Sequence, residues 1–538
     1  MEATLPARAA HSQSPVPAPA PTPAWLALAE HRDRLAGTRI DALFDADAGR
    51  AAAFTFGFAG LAVDFSRQRL TADTLALLVD LAKERGVPAA IERLFTGAPV
   101  NATEDRPALH TAVRGDEHVT VDGQDVLPDV QRCRERMRSF SAAVRDGSWR
   151  GATGERVRTV LALGIGGSYL GPRLVTEALA DLADGPAVRY CANLDPAALD
   201  GALAGLDPAT TLVVVASKSF TTLETLTNAA AARRWLEAAL GSDALARHMV
   251  AATARPQEAE RFGLPACNVF PFGDWIGGRY SVWSSVGLPA AIAIGMPAFE
   301  RLLAGAHAAD LAFRSAPPER NAPLIAALAG VWNRNFLGMP THAVLPYAER
   351  LACLPAYLQQ LEMESNGKRV RTDGTPVDCA TAPALFGETG TLGQHAFHQW
   401  LHQGTDAVAC DFVVVAKPMG SRADAHDALL AHALAQAEAL MTGRETGDPH
   451  RDCPGDRPST VIAMPALDPA SLGALVAFYE HKTFAQAVIW GVNPFDQFGV
   501  ELGKALAGRV LPAMKGGIEG LHPATRHLLG VIRALARD

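Results

Sequence analysis

The spacing of apolar positions divides the chain into stretches of different period. Over residues 25–34 and 72–85 apolar side chains recur at helical intervals; in the second, Leu75, Leu77, Leu78, Leu81 and Ala82 form one broad face. Residues 25–150 therefore read as mainly helical. From about residue 155 the pattern changes. Residues 157–163, Thr211–Ala216 and 250–252 are short runs of β-branched residues, Leu and Ala, and a helical pattern follows the second of them through Leu240. Alternating strand, loop and helix predict a first α/β domain with a parallel sheet over 151–300. Strand-like runs recur at 342–345, 411–416, 460–464 and 487–490, separated by helical stretches such as 423–441 and 469–483. They predict a second α/β domain over 301–507, followed by a helical arm over 508–538. Residues 1–24 carry six prolines, one at every second position from Pro15 to Pro23. That removes backbone donors, so a disordered tail is expected there.

Composition narrows the function. A chain of 538 residues is long enough for roughly three or four domain-sized units. Lys and Arg total 49 against 57 Asp and Glu, a formal net charge of −8. Nucleic-acid and anionic-membrane binders need a strong basic bias, so neither partner is expected, although a local basic pocket for a small anion is compatible with that balance. The seven cysteines show no C-x-x-C spacing. They form no evident disulfide framework or zinc site, and a reducing cytoplasm is the expected home. The most apolar region, 286–299, is short and broken by Gly287, Pro289, Gly295 and Pro297, so it reads as core rather than as a membrane span.

Two strand-to-helix loops are candidates for holding a phosphate. At 164–168 the chain reads Gly-Ile-Gly-Gly-Ser. Gly167 permits close backbone approach, Ser168 adds a hydroxyl, and the following helix offers free N–H groups to an anion. A tight turn with no ligand accounts for this loop equally well. The loop at 217–222 packs Ser217, Lys218, Ser219, Thr221 and Thr222 together. Helix capping needs one or two hydroxyls, so four hydroxyls and a lysine favour an anion site. Both loops would lie at carboxyl ends of parallel strands, where open α/β sheets bind ligands.

Four further segments carry groups suited to proton transfer. Gly277-Gly278-Arg279 presents a permanently charged guanidinium that can stabilise an oxyanion, or else a structural arginine paired with Asp274. Gln360 and Glu364 are four apart, which on a helix puts an amide and a carboxylate on one face; pattern alone favours an ordinary helix end closed by Asn366-Gly367. His395 sits in Gly-Gln-His-Ala-Phe and is suited to proton transfer near neutral pH. His398 and His402 have helical spacing, but no third ligand completes a metal site, so no metal is expected. Lys504 ends the segment 495–504 and serves either as a donor to a sugar oxygen or as a surface partner of Glu501.

Together these segments resemble the glucose-6-phosphate isomerase (phosphoglucose isomerase) family. The likeness rests on GIGGSYLGP at 164–172, SKSFTTLETLTN at 217–228, DWIGGRYS at 274–281, MESNGK at 363–368, GQHAF at 393–397 and FDQFGVELGK at 495–504, with NATEDRPALHTAVR at 101–114 as an earlier segment. It spans residue 25 to about residue 508. The resemblance implies two sugar-isomerase (SIS) type domains, each a parallel-rich sheet flanked by helices. It also implies interconversion of glucose 6-phosphate and fructose 6-phosphate by ring opening and proton transfer through a cis-enediolate, without a cofactor. Gly167, Ser168, Ser217, Lys218, Ser219 and Thr222 would line the phosphate subsite, with Gln360 and Gln497 orienting the sugar. Glu364 would be the base and Arg279 the enediolate stabiliser. His395 and Lys504 would assist ring opening. A homodimer with shared active sites is implied, His395 crossing the interface. Phe498 and Leu392 stand where the family commonly has Trp and a polar residue; neither carries an assigned proton transfer. A non-catalytic sugar-phosphate-binding regulator, or an isomerase that also accepts mannose 6-phosphate, are the alternatives.

Overall fold

A computed structural model describes residues 22–517 and 520–536. Most of the expected tail, residues 1–21, lies outside the described residues. Its end is helical, because Pro23 opens the helix Pro23–Arg34, where its missing N–H costs nothing. The chain forms two compact units, one reaching to Pro494 and one starting at Phe495.

The larger unit holds two α/β sheets. The first has five parallel strands in the order Ala187–Cys191, Thr159–Leu163, Thr211–Ala216, Met249–Thr253 and Val269–Pro271. The strand order reverses between Thr159–Leu163 and Thr211–Ala216. That reversal opens a crevice at their carboxyl ends, the usual ligand position in such sheets. Both central strands are buried almost throughout.

The second sheet runs Thr55–Phe58, Leu61–Asp64, Ser459–Met464, Ala409–Val415, Thr341–Tyr347 and Ala384–Gly387. Its last four strands are parallel, and the first two form an antiparallel hairpin docked on Ser459–Met464. The N-terminal region is thus helical but also extends this sheet. Ala59 and Gly60 close the hairpin with φ of 47° and 86°. A two-residue turn of that hand suits the strand twist.

One strand expectation is overturned. Residues 487–490 are not a strand but the end of the 22-residue helix Pro469–Trp490. Asp468 caps its start, accepting from Ser471 N at 2.8 Å, and Gly491 ends it with φ 73°. Nearly every side chain of this helix is buried. A helix surrounded by protein shows no polar stripe, so its apolar end resembles a buried strand.

Glycines bring this helix against Met296–Ser315. A Cβ on Gly305 would lie 2.0 Å from the Ala470 carbonyl oxygen, and one on Gly473 would lie 2.1 Å from that of Leu302. The smaller unit holds the helices Glu501–Ala513 and Pro523–Leu535, whose Ala513 and Leu529 share a small core with Leu521.

Gly473→Ala should force these two helices apart against backbone, costing about 1–3 kcal/mol, as overpacking does. An earlier urea midpoint is expected, and an unchanged one would refute the contact.

Candidate active site

Three segments converge on one point, and glycines let them meet. The Gly166 φ is 59°, and a Cβ there would lie 2.8 Å from Gln360 Nε2. A Cβ on Gly167 would lie 1.9 Å from the Gly278 carbonyl oxygen. The loop after the strand Thr159–Leu163 therefore packs directly on the Gly277-Gly278-Arg279 segment and on the turn carrying Gln360. Ser168 follows within the first turn of the helix Gly167–Ala178.

The second loop is braced by its own hydroxyls. Ser217 Oγ accepts from Phe220 N at 3.1 Å and donates to Thr222 Oγ1 at 3.2 Å. Ser219 Oγ accepts from Thr221 N at 3.3 Å and from Thr221 Oγ1 at 2.8 Å. Phe220 has φ 51°, held there by burial of its ring against Phe262. Lys218 Nζ lies 3.7 Å from Asp274, which also pairs with Arg255 and Arg106, each at 3.0 Å. Burial and the neighbouring Arg106 push the Lys218 ammonium down to about 8, against the pull of Asp274 and Glu104.

Arg279 is buried, 2% exposed, and is held on several sides. Its Nε donates to Ser365 Oγ at 2.7 Å, its Nη1 to Glu364 Oε2 at 3.1 Å, and its Nη2 to the Pro494 carbonyl. Of the two roles open for this arginine, the structure thus gives it a carboxylate partner in Glu364, while Asp274 serves the lysine loop.

Gln360 and Glu364 do come together: Gln360 Nε2 donates to Glu364 Oε2 at 3.0 Å. The backbone there is a π-helical turn, Gln360–Glu364, continuing the helix Leu354–Gln359. Such turns are rare and concentrate at functional sites. Gln360 Oε1 is buried with no hydrogen-bond partner among the described residues. A buried acceptor left unpaired is costly unless a ligand donor fills it. Glu362 on the same turn points the other way, accepting from Asn366 at 3.0 Å and Thr483 at 3.1 Å, and pairing with Lys482 at 3.5 Å.

His395 follows the short helix Gly390–Gln394 and is exposed. Its side chain makes no hydrogen bond or ion pair among the described residues. Lys504 is exposed on the helix Glu501–Ala513, and Gln497 lies just before that helix; both belong to the smaller unit. His398 and His402 share Gln436 Oε1, at 3.1 and 2.8 Å, and no His, Cys, Asp or Glu cluster fit for a metal occurs among the described residues.

Sequence reasoning missed the supports. The resemblance gives segment 101–114 no roles; in it Arg106 joins Glu104 to Asp274, and His110 packs on Tyr280 with ring centres 4.6 Å apart. Ser365 and Tyr280 are two more supports, Ser365 Oγ accepting from Arg279 Nε and lying 3.0 Å from the Tyr280 hydroxyl. The available signal was position: each directly follows an assigned residue.

A half-buried carboxylate beside a fixed, buried guanidinium, next to a glycine loop and a hydroxyl-rich loop at a strand-order reversal, suits acid–base chemistry on a phosphorylated substrate. The family model for phosphoglucose isomerase matches residues 64–529. The chain belongs to that family. Among phosphoglucose isomerase relatives, a glucose-6-phosphate isomerase of Frankia casuarinae is 47% identical over 535 residues, covering 95% of this chain and 96% of that protein. One of Mycolicibacterium gilvum is 48% identical over 510 residues, covering 91% and 93%. A crystal structure of a glucose-6-phosphate isomerase from Chlamydia trachomatis superposes with a TM-score of 0.85 at 32% identity, covering 96% of this chain and 99% of that one.

The lowered Lys218 value has a direct readout. Competitive acylation followed by mass spectrometry should show Lys218 half-reactive near pH 8, whereas exposed lysines follow about 10.4. The unfolded lysine holds its proton over a wider range, so this group's contribution to stability rises with pH across that window. A Lys218 profile matching the exposed lysines would refute the site electrostatics.

Proposed function

We propose that the chain interconverts glucose 6-phosphate and fructose 6-phosphate by proton transfer through a cis-enediolate. The observation that carries this reading is the juxtaposition of Glu364 with Arg279 at 3.1 Å beside the unsatisfied Gln360 carbonyl oxygen. Relatives that bear the name of this activity support it.

In this mechanism Ser168, Ser217, Lys218, Ser219 and Thr222 bind the phosphate, with Gly167 giving close approach. The helices behind both loops supply N–H donors and a favourable dipole. Glu364 removes the proton from C2 of the open-chain aldose and returns it to C1. Arg279 stabilises the oxyanion on the enediolate without itself exchanging a proton. Gln360 and Gln497 orient hydroxyls. His395 and Lys504 open the ring. A metal is not among the groups this proton relay uses.

The active form is a homodimer in which the partner subunit's His395 completes each site. Support comes from the exposure of His395 in the single chain, beside Leu392, which is 57% exposed. The cytoplasm is its compartment, supported by seven unpaired cysteines.

Glu364→Gln should lower isomerisation by roughly 10²–10⁴-fold, the usual worth of a positioned base, while sugar-phosphate binding persists. A coupled assay of glucose 6-phosphate turnover with calorimetric binding checks both. Near-normal turnover in the variant rejects the assignment; no turnover by the unaltered chain would make it a binding protein instead.

A further inference from the structure

If Glu364 is to take a proton from substrate, its carboxylate must leave Arg279 and face carbon. The arginine then loses the bond from its Nη1, yet that nitrogen must stay aimed at the developing oxyanion. Its orientation has to come from elsewhere. The opposite edge of the guanidinium supplies it: Nε donates to Ser365 Oγ at 2.7 Å, and Nη2 donates to the Pro494 carbonyl.

Ser365 is 0% exposed, so its hydroxyl has no water to fall back on. It also hydrogen-bonds with the Tyr280 hydroxyl at 3.0 Å. Tyr280 is 1% exposed and is wedged by the His110 ring. Burial pushes its hydroxyl up to about 12, so it stays protonated and able to donate. The Ser365 backbone is fixed as well, its carbonyl accepting from Lys368 Nζ at 2.9 Å; the same amine donates to the Asn493 carbonyl at 2.6 Å. The Arg279 carbonyl accepts from Tyr357 at 3.2 Å.

We propose that Ser365 is a positioning residue for the isomerisation: its hydroxyl, bridging Arg279 Nε and the Tyr280 hydroxyl, keeps the guanidinium aimed at the enediolate when Glu364 turns to the substrate. This rests on the proton-transfer reading above. Ser365 directly follows the base in the chain, so one turn sets both the carboxylate and the direction of the cation. A hydroxyl suits the place. An acidic side chain would pull the guanidinium away from the oxyanion, and an apolar one would leave Nε–H buried without an acceptor.

The test is Ser365→Ala in the full chain. The expected result is a fall in kcat of roughly 10–100-fold, below the 10²–10³-fold lost with a direct oxyanion donor, with KM within about threefold. Affinity for a five-carbon hydroxamate phosphate that mimics the enediolate should fall by the same factor as kcat. Affinity for a non-isomerisable 1,5-anhydrohexitol 6-phosphate should hold. A merely structural role would shift all of these together with the unfolding temperature. Tyr280→Phe, which removes only the outer partner, should show the same pattern at smaller size. A kcat and a mimic affinity both within twofold of the unaltered chain overturn the proposal. If Ser365→Ala does not fold, Ser365→Cys keeps the volume and weakens the acceptor, and the same criteria apply. Absence of turnover in the unaltered chain fails the proposed function instead, so the two failures are distinguishable.

Discussion

The constraint on which the structure depends is a charged helix with no access to water. Pro469–Trp490 buries Glu480, His481 and Lys482 in succession. Each is compensated by a different part of the chain. Glu480 takes Arg114 Nη1 at 2.5 Å and Trp283 Nε1 at 2.8 Å. His481 bonds Asp310 at 2.8 Å, and Asp310 grips Arg114 through both oxygens. Lys482 pairs with Glu362. Losing one member of a buried pair costs about 3–5 kcal/mol, because a charge stays behind without its partner. The arrangement is therefore closer to a specification than to a source of stability. It allows one register between this helix, segment 101–114, the Met296–Ser315 helix and the turn that carries Glu364. Glu480 records the tension: burial outweighs Arg114 and lifts its carboxyl to about 7. A carboxyl raised above its unfolded value favours folding at low pH and loses that contribution as pH climbs from about 4.5 towards 7.

The glycine loop takes on a different meaning beside this frame. Its residues suggest close approach to a ligand. In the structure the close approaches are to protein, Gly166 to Gln360 and Gly167 to Gly278. The loop brings the arginine segment, which follows the first sheet, against the turn that carries Gln360 and Glu364, which follows the strand Thr341–Tyr347 of the second. A phosphate cradle and a joint between two sheets require the same property, a backbone without Cβ.

Legibility in the sequence followed burial and period. Thr211–Ala216 is central, apolar throughout and followed by a hydroxyl-rich loop, and its bounds coincide with the run read from sequence. Ala187–Cys191 is an edge strand with a half-exposed pattern, and Val269–Pro271 is three residues ending in proline. Neither offers a long enough period to detect. The Thr55–Phe58 and Leu61–Asp64 hairpin turns on Ala59-Gly60, which lacks the Asn or Asp that usually marks such a turn. The 487–490 run misleads for the opposite reason: complete burial erases the polar face by which helices are recognised. At the site, Gln360 and Glu364 were legible as an i,i+4 pair, and the π turn shifts their backbone without parting them. Ser365, Tyr280 and Arg106 were silent because their work is done on other side chains, through contacts that only folding creates.

The proposed base and the proposed oxyanion-stabilising cation sit on turns that follow different sheets. Glu364 and Arg279 are 85 residues apart in sequence and 3.1 Å apart in space. A pair that close attracts, and left unrestrained it would collapse into a permanent ion pair that neither accepts a proton nor faces an oxyanion. In the structure the two are joined through the Nη1–Oε2 hydrogen bond, while each is also anchored independently of the other. Glu362 fixes the turn that carries Glu364 to Lys482 and Thr483 on the buried helix, while Ser365 and Pro494 hold the far edge of the guanidinium. The carboxylate, at 23% side-chain exposure, is the freer partner, and the arginine, at 2%, is the fixed one. The asymmetry fits the proposed division of labour: the carboxylate proposed to move a proton between two carbons keeps room to move, and the guanidinium proposed to stay aimed at the oxyanion is buried. The turn that carries Glu364 cannot shift without disturbing the buried helix behind it, since Glu362 on that turn is held by Lys482 and Thr483.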